Sequence, residues 1–419
     1  MTSDTPPTSH RHDVRLEWPG KRGVAREVVN AISPRTISPS ALVRADNLDL
    51  LRWMVAGNVE QRDLPRVIYI DPPYAMNVDH GVVTESDAAA FAYADSWATD
   101  GAYCQFMFER LTLMREVLRD DGFIFVHCDW RASAWLRVIL EEVFSRECFR
   151  NEIVWRRAPN LGRQAASRQL GRTTDSILVF SKKEKCEFPG QLPKLRKPIA
   201  LGANGTPKGA RWDAEKQAFF TTAPRGDYTD ASIEKLRKEG RIYTAPTGKV
   251  YVKYFLESER ASERTSELRE EDGARVRECE GANEDASSDI ERWVKVVPLD
   301  TIWDDEGVRP VRHASKRELA VRYVTQKPES LLRRIIEWAS ERGDVVADFF
   351  GGSGTTAAAA VDTGRRFLLC EQGEVGFAAT RKRLEERGAT WNEYAANEPA
   401  RAAHDGKKVP RVARGKTSS

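Results

Sequence analysis

The first sustained apolar pattern begins at Ala41. Ala41-Leu42-Val43-Arg44-Ala45-Asp46 predicts a short strand, a helical stretch follows through Val55, and Val67-Ile68-Tyr69-Ile70 predicts a buried strand running straight into Asp71. Apolar residues return at helical spacing from Tyr103 to Arg119. Gly122 then opens a strand, Phe123-Ile124-Phe125-Val126-His127, and Ala132 to Phe144 is again helical. Asn151 to Trp155 and Ser176 to Phe180 predict two strands joined by a basic loop. Near the other end the pattern resumes: an amphipathic helix from Ser330 to Ala339, a strand from Asp344 to Asp348, a small-residue helix from Thr355 to Asp362 and a strand from Arg366 to Cys370. Alternation of this kind predicts an α/β fold, with a largely parallel sheet covered on both faces and built from both ends of the chain.

Between and around these blocks the character changes. The segment 1–39 is rich in Pro, Ser, Thr and Arg without a sustained period, and 401–419 forms a basic tail; both are expected to be largely disordered and outside the core. From Lys182 to about Glu257 the chain is basic, punctuated by Pro and Gly, and interleaved with aromatic residues. Ser258 to Ser288 is nearly devoid of apolar residues, which predicts an exposed helix or a mobile insertion. The resulting division is 40–181 and 293–400 for two halves of one α/β domain, with 182–292 inserted between them.

Composition narrows the class. The chain has 419 residues, 41% hydrophobic and 31% charged, with a net charge of +3. That is enough for one large domain and a second module, and the near-neutral balance says less than its uneven distribution. No run approaches the roughly 18 apolar residues of a membrane span, and Met1 to Arg15 has no apolar signal core, so the cytoplasm is the expected compartment. The six cysteines lack a CxxC pair and a histidine at zinc-ligand spacing, so neither disulfides nor a structural metal is expected.

The chemistry concentrates at two places. Asp71-Pro72-Pro73-Tyr74 follows a predicted strand directly. Two prolines fix φ and remove two backbone donors, which leaves a rigid, acceptor-rich corner. Such a corner suits an exocyclic base amine: its lone pair is delocalised into the ring, and acceptors for both amine hydrogens favour a tetrahedral nitrogen. Tyr74 adds an aromatic face for an extruded base. A Pro-Pro turn ending a strand is the plainer reading, but the four-residue string is expected by chance well under about 0.01 times in a chain of this length.

The second place is Asp348 to Thr356, DFFGGSGTT, between a strand and a small-residue helix. Its glycines permit a tight turn and close approach of a ligand to backbone. It lacks a Walker lysine and the GxGxxG spacing, so a zwitterionic amino-acid group suits it better than phosphate. Glu371 ends the next strand about twenty residues on, where a carboxylate can accept from both ribose hydroxyls; alone it reads equally as a solvated loop acid. Asp46, ending the first strand, is a candidate for an adenine amine of the same ligand.

Together these features resemble the β-order DNA amino-methyltransferases, in which DPPY precedes the glycine loop, and in particular the modification subunits of type III restriction systems. The resemblance covers roughly Ala41 to Ser181 and Trp293 to Leu384. It also rests on Asn151-Glu152-Ile153-Val154-Trp155, on Thr325-Gln326-Lys327-Pro328 and on Asp348-x-Phe350-x-Gly352-Ser353-Gly354-Thr355-Thr356. It implies a Rossmann-like, circularly permuted S-adenosylmethionine-dependent methyltransferase sheet with an inserted target-recognition module. Asp71 and Pro72, with Pro73 behind them, would hold the target amine and Tyr74 would stack on the flipped base. Phe350, Gly352, Ser353, Gly354 and Thr355 would line the cofactor, Gln326 and Lys327 would approach its methionine end, and Glu371 its ribose. Phe349 stands where the family usually has proline, and Cys370 where it usually has glycine.

The resemblance also implies double-stranded DNA as substrate, with adenine N6 favoured over cytosine N4 because Asp opens the DPPY motif. A partner nuclease or translocase and a homodimer are further implications. Carbon-5 cytosine chemistry would need a Cys following a Pro, and none of the six does. Phosphate contacts are expected from the inserted module and from Arg156, Arg157, Arg163, Arg168 and Arg172 in the loop between two strands.

Overall fold

A computed structural model describes residues 15–27, 32–33, 37–75, 80–83, 89–93, 95–158, 168, 170–203, 205–259, 292–308 and 326–396. The chain folds as two units, Met1–Gln191 with Thr301–Ser419, and Leu192–Asp300.

In the first unit the chain runs β1 (Ile32–Ser33), β2 (Ala41–Arg44), α1 (Asn47–Trp53), β3 (Val67–Ile70), a hairpin of β4 (His80–Val83) and β5 (Ala89–Tyr93), α2 (Asp100–Val117), β6 (Phe123–Cys128), α3 (Ser133–Phe144), β7 (Phe149–Arg156) and β8 (Thr174–Ser181). After the second unit come β15 (Ile302–Trp303), α5 (Glu329–Ala339), β16 (Val345–Asp348), α6 (Thr355–Asp362), β17 (Arg366–Cys370), α7 (Glu374–Glu385) and β18 (Asn392–Ala396). Ten of these strands form one sheet in the order β1-β18-β2-β17-β16-β3-β6-β8-β7-β15. The run from β18 to β6 is parallel, and β8 reverses direction against both β6 and β7.

The central parallel strands are buried throughout: every residue of β3 and of β16 is shielded from solvent, as expected for strands covered on both faces. Leu331, Leu332, Ile335, Ile336 and Ala339 put one face of α5 into the core. The alanines of α6, Ala357 to Ala360, are all buried, so this helix approaches the sheet closely. Strands from the two ends of the chain interleave, β16 pairing with both β3 and β17. This pairing sets the ends of β3 and β16, with Asp71 and Asp348, side by side.

Among the described residues, the second unit, by itself, holds the strands β9 (Lys194–Ile199), β10 (Arg211–Asp213), β11 (Ala218–Pro224), β12 (Ile242–Thr244), β13 (Val250–Glu259) and β14 (Arg292–Pro298), and the helix α4 (Asp230–Lys238). The strands form an antiparallel sheet in the order β10-β11-β13-β14-β9, with β12 on β13. Phe220, Ile233, Val252, Leu256, Val294 and Leu299 are its buried apolar residues among those described.

Two expectations shift. The insert runs from Leu192 to Asp300 rather than from 182 to 292, because β14, which holds Trp293, pairs with β9 and β13. Residues 15–27 lie packed rather than disordered. The Trp18 indole donates to Gln105 on α2 at 3.3 Å, and Lys21 pairs with Glu142 on α3 at 2.9 Å. The strongly charged stretch assigned to 258–288 lies outside the described residues from 260 on, and so does the tail 401–419; residues 258–259 end β13.

Candidate active site

A cavity of about 720 Å³ opens at the C-terminal ends of the parallel strands, within the size range of small-molecule sites. Asp46, Asp71, Pro73, Gln326, Lys327, Asp348, Phe350, Gly352, Ser353, Thr355 and Glu371 all line it. The fold therefore brings residues more than 300 positions apart into one cavity.

At the end of β3, both Asp71 oxygens are engaged. Tyr74 Oη donates to Oδ1, and Lys327 Nζ bonds Oδ2. The corner is held from behind by Asp95, a buried carboxylate that accepts from the Tyr74 backbone N–H at 3.1 Å and from the Trp97 indole at 2.9 Å. Burial, followed by the Asp71 charge, pushes the Tyr74 phenol well above its usual value, which keeps it a donor. Lys327, expected at the methionine end of a cofactor, thus stands on the Asp71 carboxylate within the same cavity.

At the end of β16, Asp348 bends the glycine loop around itself. It accepts from Phe350 N at 2.9 Å and from the Thr356 hydroxyl at 2.6 Å, and burial pushes its pKa up to about 7. Gly354 caps α6 with φ +77°, and a Cβ there would stand 2.7 Å from the Thr380 side chain, so glycine is required twice over. Glu371, at the end of β17, accepts from Gly352 N at 2.7 Å and from Gly373 N at 2.6 Å. Burial pushes its pKa up to about 7 against these two donors. Each oxygen has a second lone pair, so acceptor capacity remains on the cavity side.

Asp46 has two structural duties. Its Oδ1 caps α1 by accepting from Leu48 N at 2.7 Å, and it pairs with Arg110 Nη2 at 3.2 Å. Arg110 was not legible as a site residue. It lies buried on α2 over the face of Phe106, 3.4 Å from the ring centroid, and also holds Asn47 Oδ1 at 2.6 Å. Asn47 in turn donates to Phe349 O at 2.8 Å. A cation on the apolar face of α2 was the available signal.

Of the arginines, Arg156, Arg168 and Arg172 are not buried, and Arg163 lies outside the described residues. Arg157 pairs with Asp175 at 2.9 Å, and the Arg172 guanidinium sits 3.7 Å from the centroid of the half-exposed Trp130 ring. Among the described residues no cluster of His, Cys, Asp and Glu is arranged for a metal, and no helix is long and apolar enough to cross a membrane.

Residues 66–381 match the DNA methylase family of N6 and N4 enzymes. The chain belongs to this family. Among similar proteins, the type II methyltransferase M.EcaI of Enterobacter cloacae is 27% identical over 376 residues, covering 85% of this methylase and 72% of its own length. The HindVI Mod subunit of Haemophilus influenzae, named as a probable type III restriction-modification enzyme, is 25% identical, covering 84% of this chain and 51% of its own. The type III StyLTI Mod subunit of Salmonella typhimurium is 25% identical, with 81% and 53% covered. The methylase described here therefore spans about half the length of these Mod subunits. Among solved structures, the M1.HpyAVI–SAM complex aligns at 14% identity and a TM-score of 0.42, covering 82% of this chain and 98% of that one, too loose to transfer detail.

Proposed function

We propose that this chain is a site-specific DNA methyltransferase that moves a methyl group from S-adenosylmethionine to the N6 amine of adenine in double-stranded DNA. The observation that carries the proposal is the meeting of Asp71 and Pro73, from the corner after β3, with Asp348 to Ser353, from the loop after β16, in one cavity at the ends of adjacent parallel strands. The ligand supplies an electrophilic methyl group on a sulfonium. Glu371 suits its ribose hydroxyls, the glycine loop its polar end, and Phe350 and Phe106, with ring centroids 6.1 Å apart, its apolar flank. Asp71 and the Pro72 carbonyl accept from the two amine hydrogens of a flipped base, which directs the nitrogen lone pair at the methyl carbon. The arriving amine displaces the Tyr74 hydroxyl or the Lys327 ammonium from Asp71, and Tyr74 presents its ring to the base.

Adenine is favoured by the Asp that opens the motif, and by a 70-residue stretch 43% identical to the DNA adenine methyltransferase YhdJ of Escherichia coli, a match covering 17% of this chain. The relatives named as Mod subunits support a place in a restriction-modification or phage-defence system with a nuclease or translocase partner; co-purification tests that partner. Nucleoside digestion and mass spectrometry of plasmid DNA treated with the pure protein test the base. N6-methyladenine is the expected product, and N4-methylcytosine or no methylated base overturns the assignment.

A further inference from the structure

Below the base corner, a chain of buried polar groups runs through the sheet. Tyr69, on β3, lines the cavity beside Asp71. Its hydroxyl lies 2.8 Å from His127 Nδ1 on β6, and His127 Nε2 lies 3.3 Å from Asp175 Oδ2 on β8. Asp175 Oδ1 pairs with the partly exposed Arg157 at 2.9 Å. The His127 imidazole is fully buried and is stacked with the Tyr74 ring, at 6.4 Å between centroids and 17° between planes. Neither His127 nor Asp175 has a part in holding the amine or the methyl donor, and a buried histidine–carboxylate pair is costly unless it is fully satisfied.

The polarity of the chain follows from hydrogen-bond inventory. Burial works against the Asp175 charge, but the hydrogen bond from His127 and the surrounding positive charge, that of His127 itself when protonated and those of Lys327 and Arg157, outweigh it and hold Asp175 below the usual carboxylate range. An ionised carboxylate only accepts, so His127 carries its proton on Nε2. With that single proton on the ring, Nδ1 is an acceptor and the Tyr69 O–H donates to it. The Tyr69 oxygen is left with lone pairs alone for the cavity. Burial, then the charges of Asp71 and Asp348, pushes the Tyr69 phenol well above its usual value, so it stays a neutral hydroxyl.

We infer that Asp175 and His127 are positioning residues that set Tyr69 as a fixed hydrogen-bond acceptor in the cavity, aimed where positive charge develops on the target amine. The inference rests on the methyltransferase reading. Asp175→Asn would reverse the chain: an amide N–H donates to Nε2, the proton moves to Nδ1, and Nδ1–H occupies the Tyr69 oxygen. Tyr69→Phe removes the oxygen altogether.

The test has two readouts. Proteins labelled with ¹⁵N-histidine, with His127→Gln to assign the signal, report the tautomer without any turnover. Wild type should show a bare Nδ1 and a protonated Nε2, and Asp175→Asn the reverse; a bare Nε2, or protons on both nitrogens, in wild type overturns the inference. Transfer of labelled methyl groups to unmethylated bacterial DNA gives the second. Asp175→Asn and Tyr69→Phe should each lower kcat by roughly ten- to hundred-fold with KM for S-adenosylmethionine within about twofold, the scale of a misaligned reacting group. The double variant should be no worse than either single one, because both remove the same acceptor. Multiplied losses in the double variant, or a wild-type kcat in Asp175→Asn, overturn the inference while leaving the methyltransferase reading intact. A wild type with the expected tautomer but no methyl transfer overturns that reading instead.

Discussion

At the residue scale the decisive feature is how fully the acidic groups of the cavity are occupied. Asp71 is held by Tyr74 and Lys327, Asp348 by Phe350 N and Thr356, and Glu371 by Gly352 N and Gly373 N. For Tyr74 the hydroxyl and the ring have separate parts. Tyr74→Phe frees Asp71 and keeps the stacking face, so kcat should change by no more than about threefold. Tyr74→Ala removes a stacking contact of roughly 1–3 kcal/mol, about ten- to hundred-fold, in single-turnover transfer. Glu371 gives a pH signature. Its pKa near 7 in the free protein means that below this value the carboxyl holds a proton and loses acceptor capacity. Cofactor affinity should therefore strengthen as pH rises through about 7. Titration calorimetry from about pH 6 to 8 should show that step in wild type and its loss in the Glu371→Gln variant; an unchanged step in the variant would remove Glu371 from the ribose role.

At the scale of elements, the glycine loop works because β16, the loop and α6 leave no room for side chains. Gly354→Ala must adopt φ near +77° and place its Cβ 2.7 Å from Thr380 on α7. A loss of about 1–3 kcal/mol in urea unfolding is expected, with weaker cofactor binding. Unchanged stability would mean that the loop is looser than this packing. The strands that lead to the candidate site were legible because each is a short, largely apolar run followed by an acid that lines the cavity: Val67–Ile70 before Asp71, Val345–Ala347 before Asp348, Arg366–Cys370 before Glu371. α7 was not legible, since its buried side is reduced to residues such as Phe377, Thr380 and Leu384 among many charges. Nor was the β-structure of 192–300, where exposed charged residues interrupt the alternation, as in Lys194–Ile199. Asp175 and His127 are a different case: they lie near the ends of two strands far apart in sequence, and only the antiparallel pairing of β6 with β8 brings them together.

At the scale of the whole molecule, the interleaving of strands from both ends of the chain unites the base corner with the glycine loop. The same arrangement carries the arginines at and after the end of β7, whose effects should be graded. Arg156→Ala and Arg168→Ala should weaken binding to duplex DNA uniformly, and each should reduce the slope of log affinity against log salt by about one. Arg157→Ala should in addition lower kcat, because Arg157 also holds Asp175. Fluorescence anisotropy at several salt concentrations checks the slopes, and no change in slope would remove these residues from the DNA-contacting surface.

The central claim is that one carboxylate, Asp71, aligns the amine while a separate wall of the same cavity holds the methyl donor. Asp71→Ala tests it most directly, with S-adenosylmethionine affinity and methyl transfer to DNA measured on the same preparation. The expected result is a dissociation constant within about threefold of wild type and a methyl-transfer rate lower by roughly a thousandfold, the scale of losing a preorganised group at the reacting centre. A variant that binds the methyl donor normally and still methylates DNA at the wild-type rate would contradict it.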